Sequence, residues 1–273
     1  MGKRKKGSYF IIIYLSAMLL FLGLESPELL DGRNLAVACL KSGLPAAGFD
    51  SSEDNAKTSK PAENEKSSSA VAKTERLKGK PLVLIYHTHS TESYLPSWQG
   101  NYHRIDEENT VRQVGDALKK SLEEQGIGVV HDKTIHDNPS YDSAYERSHE
   151  TAAALIEKYP SVVCIIDLHR DAIAGNYIGD TVTVNGKKCA TYSYVIGAEA
   201  PTYEKNANFV RLLNQTAEAR YPGFTGRVME RDYIYNQELS GKCILLEIGN
   251  NRNNIDEAEN SAEILGKIIA DSV

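Results

Sequence analysis

The sequence predicts an α/β domain with a mostly parallel central sheet flanked by helices. Three observations predict it. Short, nearly continuous apolar runs recur at PLVLIY (81–86), VVCIIDL (162–168) and CILLEI (243–248), as in strands buried on both faces. Stretches with apolar residues at helical spacing separate these runs. The chain, with 273 residues of which 41% are hydrophobic, is long enough to bury one sizeable core.

Pro81–Tyr86 reads as the first strand. Val111, Val114, Leu118 and Leu122 repeat at helical spacing, and Gly126 follows as a stop. Gly128–His131 gives a second short strand. Ala144–Tyr159 reads as a helix closed by Pro160, and Val162–Leu168 as the most apolar strand. Thr181–Val184 and Thr191–Ile196 flank Asn185-Gly186, a pair that favours a tight hairpin turn. Ala207–Tyr221 is expected to be a helix ended by Pro222-Gly223, Cys243–Ile248 a buried strand and Ile255–Val273 a closing helix. No internal repeat is visible.

The first eighty residues differ from this domain. Lys3, Arg4, Lys5 and Lys6 precede an uncharged run from Tyr9 to Leu24. Basic residues before an apolar run place the N-terminus in the cytoplasm. The run is short for a span of about 20 residues, so a cleaved leader is the alternative. The nearest small-residue cleavage pattern, Ala36-Val37-Ala38, lies well beyond it, which favours an uncleaved anchor. Residues 1–25 therefore read as a cytoplasmic basic stub and membrane anchor. Residues 26–80 read as a largely disordered extracytoplasmic linker, because 51–80 is rich in Ser, Lys, Glu, Asn and Ala and has almost no large apolar side chains. Residues 81–273 form the folded domain.

Composition excludes several classes. Four cysteines over this length are too few for a disulfide-stapled scaffold. Residues 1–80 carry 13 basic and 9 acidic side chains, and residues 81–273 carry 18 and 28. A domain this acidic would repel a phosphate backbone, so no nucleic-acid partner is expected.

Ligands of parallel sheets bind outside the carboxyl ends of the strands. Three strand ends here carry metal-type residues. The first strand runs into His87-Thr88-His89-Ser90-Thr91-Glu92, the second apolar run into His169-Arg170-Asp171, and the last contains Glu247. A carboxylate within CILLEI is costly unless it is paired, protonated or at a metal. Zinc commonly takes two imidazoles and a carboxylate, with a fourth position for water. A second carboxylate can then move the proton of amide hydrolysis. His89 and Glu92 form an H-x-x-E pair. With a distant His and a late Glu, the layout resembles zinc carboxypeptidases. That resemblance implies one Zn2+ held by His89, Glu92 and His169, with Glu247 as general base. His87 is the second choice of ligand, or an orienting group. Glu107 or Glu108 is the alternative to Glu92, because zinc amidases of the muramoyl-alanine type carry their ligand Glu on the first helix.

Longer words are more specific. YHTHSTESY (86–94), HDKTIHDNPSYDSAYERS (131–148), DLHRDA (167–172), YNQELS (235–240) and LLEIGNNRN (245–253) resemble the stage II sporulation protein P family over about residues 81–270. The resemblance implies a zinc amidase-like fold and a membrane-anchored peptidoglycan hydrolase acting during engulfment. It implies N-acetylmuramoyl-L-alanine amidase and endopeptidase activities. It implies partnership with stage II sporulation proteins D and M, the first a glycan-strand lytic enzyme. It also implies placement in the mother-cell membrane facing the forespore. The residue reading alone reaches only an extracytoplasmic zinc amide hydrolase. Its rivals are a zinc carboxypeptidase trimming stem peptides and a non-catalytic wall-binding scaffold.

Other residues have two readings. Arg170 pairs with Asp171 or holds a substrate carboxylate. His131 and His136, beside Asp132 and Asp137, read as a hydrogen-bonded loop rather than a second metal site. Asn236 and Gln237 contact a substrate amide or cap the following turn. Tyr86, Tyr94, Tyr141, Tyr145, Tyr233 and Tyr235 line a groove or fill the core. Cys164 and Cys243 read as buried thiols, and no G-x-S-x-G elbow offers a rival nucleophile.

Overall fold

The structure is a computed structural model that describes residues 81–97, 102–175 and 178–273. The expected stub, anchor and linker lie outside the described residues. Among the described residues no helix is long and apolar enough to cross a membrane.

The strands are β1 (Pro81–Tyr86), β2 (Gly128–His131), β3 (Cys164–Asp171), β4 (Thr181–Val184), β5 (Lys187–Ala190), β6 (Tyr192–Gly197), β7 (Arg227–Arg231) and β8 (Cys243–Asn250). The helices are α1 (Val111–Glu124), α2 (Ala144–Lys158), α3 (Tyr203–Arg220) and α4 (Ile255–Ser272). Six strands form one sheet in the order β2-β1-β3-β8-β6-β7. All neighbours are parallel except β6, which runs antiparallel to β8. The expected mostly parallel α/β architecture is present.

Two expectations change. Asn185 (φ 50°) and Gly186 (φ 78°) do form a tight hairpin turn, but the partner of β4 is β5. A two-residue turn pairs the residues that follow it at once, and those are Lys187–Ala190. Tyr192–Gly197 is buried along its whole length and joins the main sheet instead. The strand β7, with charged residues at 227, 230 and 231 of RVMER, carries too little apolar signal to be read and forms the sheet edge beside β6.

Alternation along the strands sorts the core. Val83, Ile85, Ile166, Leu168, Ile244, Leu246 and Ile248 point to one face, where α1, α3 and α4 cover them. Leu84, Tyr86, Ile165 and Cys243 point to the other, covered by Ala152, Leu155 and Ile156 of α2. With a period of two, Asp167, His169 and Glu247 fall on this second face. His169 is the register partner of Glu247 on the neighbouring strand. The carboxylate that looked misplaced in CILLEI thus stands beside an imidazole at the carboxyl edge of the sheet.

Cys164, Cys189 and Cys243 are free and buried, so no disulfide forms among the described cysteines.

Candidate active site

Beyond β1 the chain enters a buried polar loop, residues 87–93. Buried backbone and hydroxyl groups must find partners, and two neighbours provide them. From β3, Asp167 accepts from Thr88 N (2.8 Å) and Thr88 Oγ1 (2.6 Å). From the loop after β2, Asp137 accepts from Thr91 N (3.1 Å), Thr91 Oγ1 (2.6 Å) and Ser90 Oγ (3.2 Å). His136 Nδ1 donates to the His87 carbonyl (2.8 Å), and His136 Nε2 accepts from Thr151 Oγ1 (2.9 Å). His136 and Asp137 are therefore the hydrogen-bonded loop residues expected from the sequence, and they clamp the loop that bears the candidate ligands.

The two histidines of this loop differ in kind. His87 Nδ1 donates to the Leu168 carbonyl (2.8 Å), and its Nε2 lies 2.8 Å from His131 Nε2. Burial holds His87 well below the usual histidine range, with His131 adding to the effect. Both nitrogens are thus occupied within the fold. His89 stacks parallel on Tyr141 (3.9 Å between ring centroids) and meets His169 edge-on at 5.3 Å. Its Nδ1 is buried without a hydrogen-bond partner. Burial, followed by His169, lowers the His89 ring to about 4. His89 thus keeps a ring nitrogen unbonded, whereas each nitrogen of His87 has a neighbour.

Glu92 is buried at the same corner, 3.5 Å through Oε2 from His169 Nδ1. Burial alone would raise its carboxyl, but Arg170 and then His169 outweigh that and hold it at about 2. Glu107 and Glu108 are exposed, and Glu107 pairs with Lys133 (2.5 Å). His169 Nε2 lies 2.9 Å from Asp167 Oδ1, close but poorly aligned, and has no hydrogen-bond partner. Burial opposes protonation of His169, yet Asp167 and Glu92 prevail and raise it well above the usual range. Glu247 Oε2 is also buried without a partner. Burial pushes Glu247 up to about 8, with Glu92 and Asp171 adding to it against His169.

These residues converge from three remote segments, but they are not closed on one point. Among the described residues no group of three His, Cys, Asp or Glu side chains is placed to hold a metal ion. Glu92 is turned to Arg170, and His169 to Asp167. The donor set still fits zinc in kind: two imidazoles, that of His89 with a buried unpartnered nitrogen, and the Glu92 carboxylate 3.5 Å from His169.

Three sequence readings receive a different answer. Arg170 does not pair with Asp171. It is buried, donating through its backbone N to Glu92 Oε2 (3.1 Å), through Nε to the Ser93 carbonyl (3.2 Å) and through Nη2 to the Tyr102 carbonyl (2.8 Å). A guanidinium so engaged fixes the Glu92 segment and has little left for a substrate carboxylate. Gln237, 1% exposed, accepts from Gly197 N (3.0 Å) and donates to the Val195 carbonyl (2.7 Å). Asn236 donates to the Tyr145 carbonyl (3.2 Å) and Ser148 Oγ (3.1 Å). Both amides are spent within the fold.

The sequence reading did not single out Asp167 or the stacking of Tyr141 on His89. Asp167 carried the same signal as Glu247, a carboxylate inside an apolar strand.

The fold and this corner together define a class: an α/β protein with an imidazole–carboxylate cluster at the carboxyl edge of a parallel sheet. A family model described as Stage II sporulation protein P (SpoIIP) matches residues 45–270, and the chain belongs to that family. Stage II sporulation protein P of Bacillus subtilis (strain 168) is 31% identical in a 207-residue alignment that covers 70% of this chain and 51% of that protein. The chain thus spans about half the length of this curated relative. Among solved structures, the N-acetylmuramoyl-L-alanine amidase AmiC2 of Nostoc punctiforme is similar at 13% identity, TM-score 0.42, over 71% of this chain and 96% of that one. The catalytic domain of CwlV, an N-acetylmuramoyl-L-alanine amidase from Bacillus (Paenibacillus) polymyxa var. colistinus, is similar at 12% identity, TM-score 0.42, over 70% and 97%. An N-acetylmuramoyl-L-alanine amidase from Clostridium difficile 630 is similar at 16% identity, TM-score 0.43, over 70% and 95%. Likenesses of that strength carry no argument about chemistry.

Proposed function

We propose that this chain is a zinc-dependent peptidoglycan amide hydrolase of sporulation, cleaving the N-acetylmuramoyl-L-alanine bond and stem-peptide cross-links. One observation carries the chemistry: His89, Glu92, His169 and Glu247 meet at one sheet edge, where His89 and Glu247 each keep a buried polar atom unpartnered and His169 Nε2 meets only Asp167 (2.9 Å). Membership of the stage II sporulation protein P family supports the substrate and the setting.

In this reading His89, Glu92 and His169 hold the metal. Zinc, when bound, supplies Lewis acidity, which acidifies water and polarises a scissile carbonyl. Glu247 Oε2 takes a proton as the oxygen of water bonds to the carbonyl carbon. It returns that proton to the amide nitrogen as the carbon–nitrogen bond breaks, so the amine leaves neutral. Arg170 and Asp167 keep the Glu92 and His169 side chains in place. Engulfment, anchoring in the mother-cell membrane with the domain outside the cytoplasm, and partnership with stage II sporulation proteins D and M complete the proposal.

Dye-labelled sacculi provide the test. The full chain should release dye, a chelator should stop it, and mass spectrometry should show glycan freed of stem peptides. Glu247→Gln should end turnover while zinc stays bound. Wild-type digestion by Glu247→Gln, or loss of terminal D-alanine alone, would overturn the amidase reading.

A further inference from the structure

The word YNQELS forms a turn that the hydrolytic corner does not account for. Tyr235 (φ 55°) and Asn236 (φ 56°) are consecutive non-glycine residues in the left-handed region. Each such residue costs of order 1 kcal/mol or more and persists only where the surroundings enforce it. Here α2 and β6 do so. Asn236 is tied to α2 through the Tyr145 carbonyl and Ser148 Oγ. Gln237 is tied to β6 through Val195 and Gly197. Gly197 lets the turn press close, because a Cβ there would lie 2.4 Å from the Tyr233 carbonyl oxygen.

This bracing buries little of what the turn presents. Tyr233 is 64% exposed and Ile234 42%. The rings instead form a row that starts at the candidate ligand. His89 to Tyr145 is 5.6 Å between centroids, Tyr145 to Tyr235 5.6 Å and Tyr235 to Tyr233 5.5 Å. Tyr145, Tyr233, Ile234 and Tyr235, with Glu199 and Glu238, line a cavity of about 550 Å³, a volume within the range of small-ligand sites.

We propose that this turn is a glycan-strand subsite that takes uncharged N-acetylhexosamine rings beside the hydrolytic centre, an inference that rests on the peptidoglycan reading above. Tyrosine faces suit the apolar C–H faces of pyranose rings, and the phenol rim can hydrogen-bond. Glu199 and Glu238 can accept from sugar hydroxyls and from acetamido N–H groups. The same carboxylates repel the free carboxylates of a stem peptide; no Lys or Arg lines the cavity, and the basic group in contact is His149, 3.3 Å from Glu238. A glycan strand whose lactyl groups are in amide linkage carries no such charge. Tyr145, between the corner and the turn, joins the subsite to the bond that is cut.

The test uses the full chain carrying Glu247→Gln, so that binding is read without turnover. Calorimetry with chitotetraose, whose N-acetylhexosamine rings are uncharged, should show binding that Tyr233→Ala weakens about tenfold, the size of one aromatic contact. Tyr233→Phe should restore it, and both variants should keep the parent's melting temperature and zinc content. Binding that is absent in the parent, unchanged in Tyr233→Ala, or directed to released stem peptides instead would overturn the proposal. The two readings fail separately. If sacculi are digested but Tyr233 is neutral for glycan binding, only this subsite falls. If chitotetraose binds through Tyr233 and sacculi stay intact, only the hydrolase reading falls.

Discussion

Removing the Asp137 carboxylate should loosen the candidate ligand loop without touching a candidate ligand. Asp137 receives three hydrogen bonds, from Thr91 N, Thr91 Oγ1 and Ser90 Oγ, and it is buried. Bonds to an ionised acceptor contribute about 1.5–3 kcal/mol each, and a buried donor left alone costs a similar amount. Two of the donor groups keep a second contact: Ser90 Oγ still accepts from His136 N (2.9 Å), and Thr91 Oγ1 lies 3.1 Å from His103 Nδ1. The loss in Asp137→Ala is therefore closer to one full charged bond plus part of another, about 3 kcal/mol. For a domain of this size that lowers the melting temperature by about 6–12 °C. Asp137→Asn keeps the shape and one acceptor and should lose about half as much. His89 and Glu92 flank the clamped residues, so zinc affinity should fall about 10–100-fold, as for other supports of metal ligands. Calorimetric melting and competition against a chromophoric chelator measure the two effects. Asp137→Ala that melts with the parent and binds zinc equally well would refute the clamp.

Further outcomes follow from other residues. His89→Ala and His169→Ala should each lose zinc and sacculus digestion together, and full zinc retention would remove that residue from the ligand set. Asp167→Asn, which weakens the contact with His169, should lower zinc affinity about tenfold by the same chelator assay. Gly249 (φ 63°) lies two residues after Glu247, and a Cβ there would come within 2.8 Å of Asn253 Oδ1 and 2.9 Å of the Ala190 Cβ. Gly249→Ala should destabilise by about 2 kcal/mol or more in urea unfolding. Glu257 completes the capping box of α4 and pairs with Lys188 (2.6 Å). Burial opposes its ionisation, but Lys188 and Asn253 outweigh that and hold it below the usual range. A depressed folded pKa gives stability that is present above the unfolded value, about 4.3, and lost as pH falls through the folded one. The gap between parent and Glu257→Gln should be about 1 kcal/mol at pH 7 and close as pH drops below about 4. A gap that stays constant down to pH 2 would contradict this.

The sequence by itself determined the strands and helices whose apolar pattern is strong. β1, α1, β2 and α2 begin where their runs begin, because burial on one or both faces writes a period into the chain. It also brought forward His89, Glu92, His169 and Glu247, since residues of one chemical kind followed or interrupted apolar strands. Tertiary structure alone decided pairings and loyalties. β6 left the hairpin for the main sheet, and the edge strand β7 carried no apolar signal. Arg170 turned to Glu92 rather than to its neighbour Asp171, and Asn236 and Gln237 became braces. His87 and His89 sit two residues apart with identical side chains, yet one has both nitrogens bonded and the other has none bonded at Nδ1. Periodicity records which face a residue occupies. Which partner a polar group finds there depends on segments eighty residues away, and nothing local encodes them.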